Sequence, residues 1–210
     1  MTDNSVTSYG WSSATPPHSS GYISPAIIRR LRDLGATRVL DLGAGNGGMC
    51  GDLSTAGFDV VGVEHDAQGV EIARATHPSV PFHRHSVEDD PALLLQKERS
   101  FDVVISTEVI EHLYAPHKLP QFARAVLKEG GYLIVTTPYH GYLKNLALAL
   151  TGHWDKHHTA LWHGGHIKFF SRGTLADLLR ESGFDIVSFS GVGRFRWLWK
   201  SMLMVARKRR

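Results

Sequence analysis

Glu108, Glu111 and His112 stand in the run Thr107-Glu108-Val109-Ile110-Glu111-His112, and their types suit them to moving a proton or holding a cation. On a helix they fall at i, i+3 and i+4, on one face. Two carboxylates and an imidazole in one patch offer oxygen and nitrogen ligands to a divalent cation. Alternatively, His112 acts as a general base that Glu111 orients. Helix-start carboxylates with a capping histidine would carry the same letters for structural reasons. More imidazoles follow at His140, His153, His157, His158, His163 and His166, interleaved with Tyr139, Tyr142, Trp154 and Trp162. His153 and His157 would be i, i+4 metal ligands on a helix. With no second cysteine or dense acid cluster beside them, the preferred reading is an aromatic lid over a planar molecule.

The stretch Arg38-Val39-Leu40-Asp41-Leu42-Gly43-Ala44-Gly45-Asn46-Gly47-Gly48 points to a second chemistry, that of binding. A short apolar run ending in a glycine-spaced turn reads as the first strand, loop and helix of an α/β sheet. Glycines at 43, 45 and 47 remove Cβ atoms that would keep a bound molecule off the backbone. Asp41 at the strand's end would repel a pyrophosphate and attract a cation, such as the amino group of an amino-acid-like cofactor. The second strand ends in Glu64, whose carboxylate suits both hydroxyls of a ribose. His65 beside it and Thr107 after the fourth strand are counted with these binding residues. Loop plus acid fits a nicotinamide dinucleotide or S-adenosylmethionine, and Asp41 favours the second.

The elements that must position these groups alternate. Strands are expected at 58–63, 80–83, 101–106, 132–137, 184–190 and 202–206, with helices at about 47–55, 67–76, 119–127 and 174–182. A further helix opens at Ser24-Pro25, as cap and first-turn proline, and runs through Ile27, Ile28 and Leu31. Strands separated by helices predict a parallel sheet. The rhythm breaks between Pro138 and Ile167, where some thirty residues stand in place of a short connection, as in a functional lid. The expected division is an N-terminal arm over 1–22 and one domain over 23–210, with the lid insertion at about 138–167. Tyr9, Trp11, His18 and Tyr22 leave open whether the arm folds over a ligand or trails as a solvated tail.

With the glycine loop, Asp41 and Glu64 together, residues 36 to 190 resemble the Rossmann-like S-adenosylmethionine-dependent methyltransferases. The resemblance implies a seven-strand, mostly parallel sheet with flanking helices and an antiparallel last strand. It implies that Gly43, Ala44, Gly45 and Asn46 approach the methionine part, Asp41 its amino group and Glu64 the ribose, with Ser86, Val87 and Glu88 flanking adenine. The Glu108-x-x-Glu111-His112 run is similar to a segment of the ubiquinone-biosynthesis O-methyltransferases, where such a run is associated with metal-assisted methylation of catechol hydroxyls. His166-Ile167-Lys168-Phe169 resembles the same group's His-x-Lys-Phe stretch. Catalytic roles then fall to His112 and Glu111, and a cation, where one is used, to Glu108, Glu111 and His112. The expected acceptor is a small molecule, with O-methylation of an aromatic or lipophilic hydroxyl ahead of N- or C-methylation. A non-catalytic cofactor-binding module stays open. A nicotinamide oxidoreductase is disfavoured, since neither Tyr139 nor Tyr142 has a lysine four residues on.

Composition narrows the partners. The 210 residues, 42% hydrophobic, suffice for one sizeable core, and the single cysteine, Cys50, forms no internal disulfide. The net charge is +3, yet seven Lys/Arg and no acid fall within 194–210, which leaves the remainder acidic and unsuited to tracking nucleic acid. The first 20 residues are polar, without an apolar leader, and no run is long enough for a transmembrane segment, so a cytoplasmic protein is expected. Tyr142–Leu150 is amphipathic enough for peripheral membrane contact, although ordinary core packing is the preferred reading. For the basic-aromatic stretch 194–200, a solvated hairpin is preferred over a membrane or nucleic-acid patch. Monomer and homodimer both stay open.

Overall fold

The structure is a computed structural model and describes residues 10–154, 158 and 165–210. Seven strands form one sheet: β1 (Arg38–Leu42), β2 (Asp59–Glu64), β3 (Phe82–Arg84), β4 (Phe101–Thr107), β5 (Leu127–Pro138), β6 (Phe184–Val192) and β7 (Ser201–Lys208). Their order is β3-β2-β1-β4-β5-β7-β6. The first five are parallel, and β7 runs antiparallel to both neighbours. The last strand is thus the antiparallel one, as expected. Every residue of β1 is buried, Arg38 and Asp41 included, as expected of a central strand covered on both faces.

Helices α1 (Ser20–Asp33), α2 (Gly48–Thr55), α3 (Ala67–Thr76), α4 (Ala92–Leu95), α5 (Lys118–Val126), α6 (Tyr142–Leu150) and α7 (Arg172–Glu181) accompany the sheet. Two buried clusters form the core. One gathers Leu40, Val104, Phe122, Leu133, Leu175 and Met204. The other gathers Ile23, Ile27, Leu31, Val39, Leu53 and Ile105. Ser171 caps α7 through a capping box with Thr174.

Several boundaries differ from the sequence reading. α1 begins at Ser20 and carries Pro25 inside rather than in its first turn. Burial of Ile23 with Ile27 and Leu31, one above the other on the core face, extends the helix upstream. Strand β5 starts at Leu127, taking in Lys128 to Gly131. β3 lies at 82–84 instead of 80–83, and β7 is longer than 202–206.

The strand order reverses between β1 and β4, and open α/β sheets bind ligands at the carboxyl ends beside such a reversal. The glycine loop, Glu64 and Thr107 all leave the sheet along that edge.

Candidate active site

On the β1–β2 side the loop is tightly folded back on the sheet. The Gly43 and Ala44 amides both donate to the Val63 carbonyl. The Gly45 amide donates to Glu64 Oε2 at 2.8 Å. Gly43 and Gly45 have φ of 90° and 54°, which favours glycine. The space their missing Cβ atoms leave is occupied by the Val109 side chain at Gly43 and by the Trp11 indole at Gly45. These glycines therefore admit the chain's own side chains to the loop, a role the spacing alone did not reveal.

Glu64 is only 6% exposed. Its Oε1 accepts from the Asp66 amide at 2.8 Å and lies 2.9 Å from His65 Nδ1. That hydrogen bond raises the His65 pKa, a stronger effect than the burial that opposes it. Glu64 Oε2 retains a lone pair beyond the Gly45 bond, enough for a ribose hydroxyl.

Asp41 lies deeper than expected, 1% exposed beneath the loop. Its Oδ2 accepts from Cys50 Sγ at 3.3 Å, and its Oδ1 has no hydrogen-bond partner. Burial pushes its carboxyl up to about 7. Asn46 turns its amide to the arm, donating to the Ser13 carbonyl at 3.0 Å and the Thr15 carbonyl at 2.9 Å. Ser86, Val87 and Glu88 form the loop after β3, where the Ser86 amide donates to Asp89 and the Glu88 amide to Ser86 Oγ. Thr107 is half-buried at the end of β4.

On the β4–β5 side the chain does not turn α-helical as the i, i+3, i+4 reading supposed. Glu108 takes φ 54°, Val109 is irregular, and only Ile110–His112 forms a 3-10 turn. A non-glycine residue in the left-handed region costs of order 1 kcal/mol. Here it aims the Glu108 carboxylate back at the sheet, to accept from Thr136 Oγ1 at 2.9 Å and Ser201 Oγ at 3.0 Å. Burial raises Glu108 to about 7. Glu108 is therefore separated from Glu111 and His112 as a ligand.

His166 takes its place. Among the described residues, Glu111, His112 and His166 form the one group whose ligand atoms converge, all within 4.8 Å. Glu111 is fully buried; its Oε2 accepts from Thr137 Oγ1 at 2.9 Å, and its Oε1 has no hydrogen-bond partner. His112 Nε2 lies 3.9 Å and His166 Nε2 4.0 Å from that oxygen. The two rings meet edge to face at 4.9 Å. His112 Nδ1 is 3.2 Å from the Gly165 carbonyl, which can only accept, so Nδ1 donates there and the lone pair of the neutral ring lies on Nε2. The Ile167 and Lys168 amides both donate to the Glu111 carbonyl, binding the returning chain to the turn. Burial, and then the charge of Glu108, raise the Glu111 carboxyl well above its ordinary range.

Tyr142–Leu150 does not pack its leucines into the core, contrary to the preferred reading. On α6, Lys144 is the buried residue, while Leu143, Leu146 and Leu150 are exposed. Lys144 Nζ donates to the Tyr139 carbonyl at 2.9 Å and the Lys200 carbonyl at 3.4 Å, and burial, then the charge of Arg194, bring its pKa down to about 8. Beside α6, Tyr139, Tyr142, Leu143 and Trp197 line an open apolar hollow of about 370 Å³. His158 stacks on His140 and contacts Trp154 and Phe169. His157, Trp162 and His163 lie outside the described residues, and with them the proposed His153–His157 pair.

Comparison with known proteins bears on this geometry. A family profile described as a methyltransferase domain matches residues 19–189. The ubiquinone biosynthesis O-methyltransferase of Roseobacter denitrificans is 33% identical over 172 residues, covering 78% of this chain and 66% of its own length. The chain thus spans about two thirds of that relative. The Bradyrhizobium diazoefficiens protein of the same name is 31% identical, covering 84% of this chain and 72% of its own length. In fold, the chain is similar to the magnesium protoporphyrin IX methyltransferase of Synechocystis with bound SAH (TM-score 0.63, 16% identity, 89% and 81% coverage).

Proposed function

The chain belongs to the methyltransferase-domain family, and from that premise we propose that it transfers a methyl group from S-adenosylmethionine to a hydroxyl of a small aromatic, lipophilic acceptor. The observation that carries the acceptor assignment is the convergence of Glu111, His112 and His166 beside the strand-order reversal. The cofactor supplies a methyl on a sulfonium, and transfer needs an aligned, deprotonated oxygen. A phenol loses its proton only near pH 10. His112 Nε2, held by the Nδ1 bond to Gly165, takes that proton. Glu111 sits against the imidazolium so formed, and that positive charge returns the carboxylate toward its ionised form.

Glu111 Oε1, buried and without a hydrogen-bond partner between two imidazole nitrogens, is an oxygen–nitrogen donor set that a divalent cation fits. Such a cation would be held by Glu111, His112 and His166 and would itself lower the acceptor's pKa, with His112 then a ligand in place of a base. On the cofactor side Glu64 takes the ribose hydroxyls. The exposed leucines of α6, with Arg194, Arg196 and Lys200 on the neighbouring hairpin, favour acceptor capture from an anionic membrane surface. Among the described residues no helix is long and apolar enough to cross a membrane.

The test is methyl transfer from labelled S-adenosylmethionine to a panel of catechols, amines and activated carbon acids, run with a chelator and with added Mg²⁺, Mn²⁺ or Zn²⁺. The expected product is a methyl ether of an alkylated catechol. Labelling of amines alone would contradict the acceptor assignment, and labelling of nothing would favour a binding module.

A further inference from the structure

The arm packs against the glycine loop on the cofactor side. The Trp11 indole fills the space over Gly45. A Cβ on Gly69 would stand 3.0 Å from Trp11 Cδ1, 3.1 Å from the Gly45 carbonyl oxygen and 3.3 Å from Glu64 Cγ. The indole, the glycine loop and the ribose-binding acid therefore converge at one point. Two residues on, the arm is latched: Asn46, 2% exposed, gives both amide hydrogens to the Ser13 and Thr15 carbonyls. Pro16 then rests against Gly48. Residues 12–17 are otherwise exposed and belong to neither helix nor strand, and this clasp ties them to the loop.

We propose that residues 11–16 are a strap over the cofactor cleft, with Trp11 as the ring that closes the cleft beside Glu64 and Asn46 as its latch. A buried asparagine spending both donors on two carbonyls of an exposed arm fixes that arm in one place. A half-buried indole placed there contributes apolar wall and excludes water at low conformational cost. The strap has to lift for the cofactor to enter and settle again once it is bound, so its main effect is on the rate of release. Trp11 is a positioning and binding residue in this scheme and takes no part in proton transfer.

The inference rests on the adenosyl cofactor assigned above, and the test separates the two. S-adenosylhomocysteine dissociation is followed by stopped flow in the full chain, in Trp11→Ala, Trp11→Phe and Asn46→Asp, with melting temperatures recorded for each. The strap predicts release about 10-fold or more faster in Trp11→Ala and Asn46→Asp, and largely restored in Trp11→Phe. It also predicts that the bound ligand slows chymotryptic cleavage after Trp11 in the unmodified chain. Unchanged release, or tighter binding by Trp11→Ala as expected of a plug, would overturn it. Absence of S-adenosylhomocysteine binding by the unmodified chain would remove the cofactor assignment itself, and the strap with it.

Discussion

The two halves of the sheet's carboxyl edge are built on opposite plans. Around β1 and β2 the gaps at Gly43 and Gly45 are filled, Glu64 is held by the Gly45 and Asp66 amides, and the arm is clasped over the loop. Each half buries one carboxylate oxygen without a hydrogen bond, Asp41 Oδ1 beneath the loop and Glu111 Oε1 after β4, but only Glu111 Oε1 faces two imidazole nitrogens, and only around β4, β5 and α6 do leucines face outward. A buried carboxylate oxygen without a partner costs roughly 1–3 kcal/mol, and such a debt is met when a ligand or proton arrives. The first half is shaped before its ligand binds; the second is completed by what it binds. A cofactor common to many reactions suits the first plan, and a particular acceptor the second.

The largest effect that would break this division is at His112. His112→Ala should lower kcat by about 10²–10⁴, with steady-state kinetics at saturating cofactor as the check. Glu64→Ala acts on the other half. Losing the carboxylate proposed to hold the ribose should weaken S-adenosylhomocysteine by roughly 10- to 100-fold, about 1.5–3 kcal/mol, as read by calorimetry.

A smaller effect is the pH dependence of stability. Burial holds Asp41 at about 7, well above an ordinary carboxyl. The folded chain therefore keeps a proton that the unfolded chain loses, and the stabilisation is full below about pH 4 and lost as pH rises through 7. Glu108, also near 7, adds the same sign. Thermal melts from pH 5 to 8 should fall, and Asp41→Asn should flatten part of that slope. Least costly to the fold is Leu146→Asp on the exposed face of α6. Stability should stay within about 0.5 kcal/mol, while the KM for an alkylated catechol rises and that for plain catechol does not.

Much of the cofactor half is legible in the sequence, because its signals are local. A strand built on Val39, Leu40 and Leu42, glycines at fixed offsets and an acid at the end of the next strand are each set within a few residues. The acceptor half depends on long returns of the chain. His166 meets Glu111 only because residues 167 and 168 hydrogen-bond through backbone amides, which leave no mark on residue types. Glu108 leaves the expected face because of a left-handed backbone that no periodicity encodes. On α6 the leucine pattern was readable but its direction was not, since Lys144 reaches two carbonyls and turns the apolar face out. α1 starts upstream of Ser24-Pro25 because burial of Ile23 outweighs the preference of Pro25 for a first turn.

The most direct measurement of the division is a crossed one: S-adenosylhomocysteine affinity and saturated turnover, both determined on His112→Ala and on Glu64→Ala. Two separable halves predict that His112→Ala binds as tightly as the unmodified chain while turnover collapses, and that Glu64→Ala binds weakly yet retains most of its turnover at saturation. Affinity and turnover falling together in both variants would contradict it.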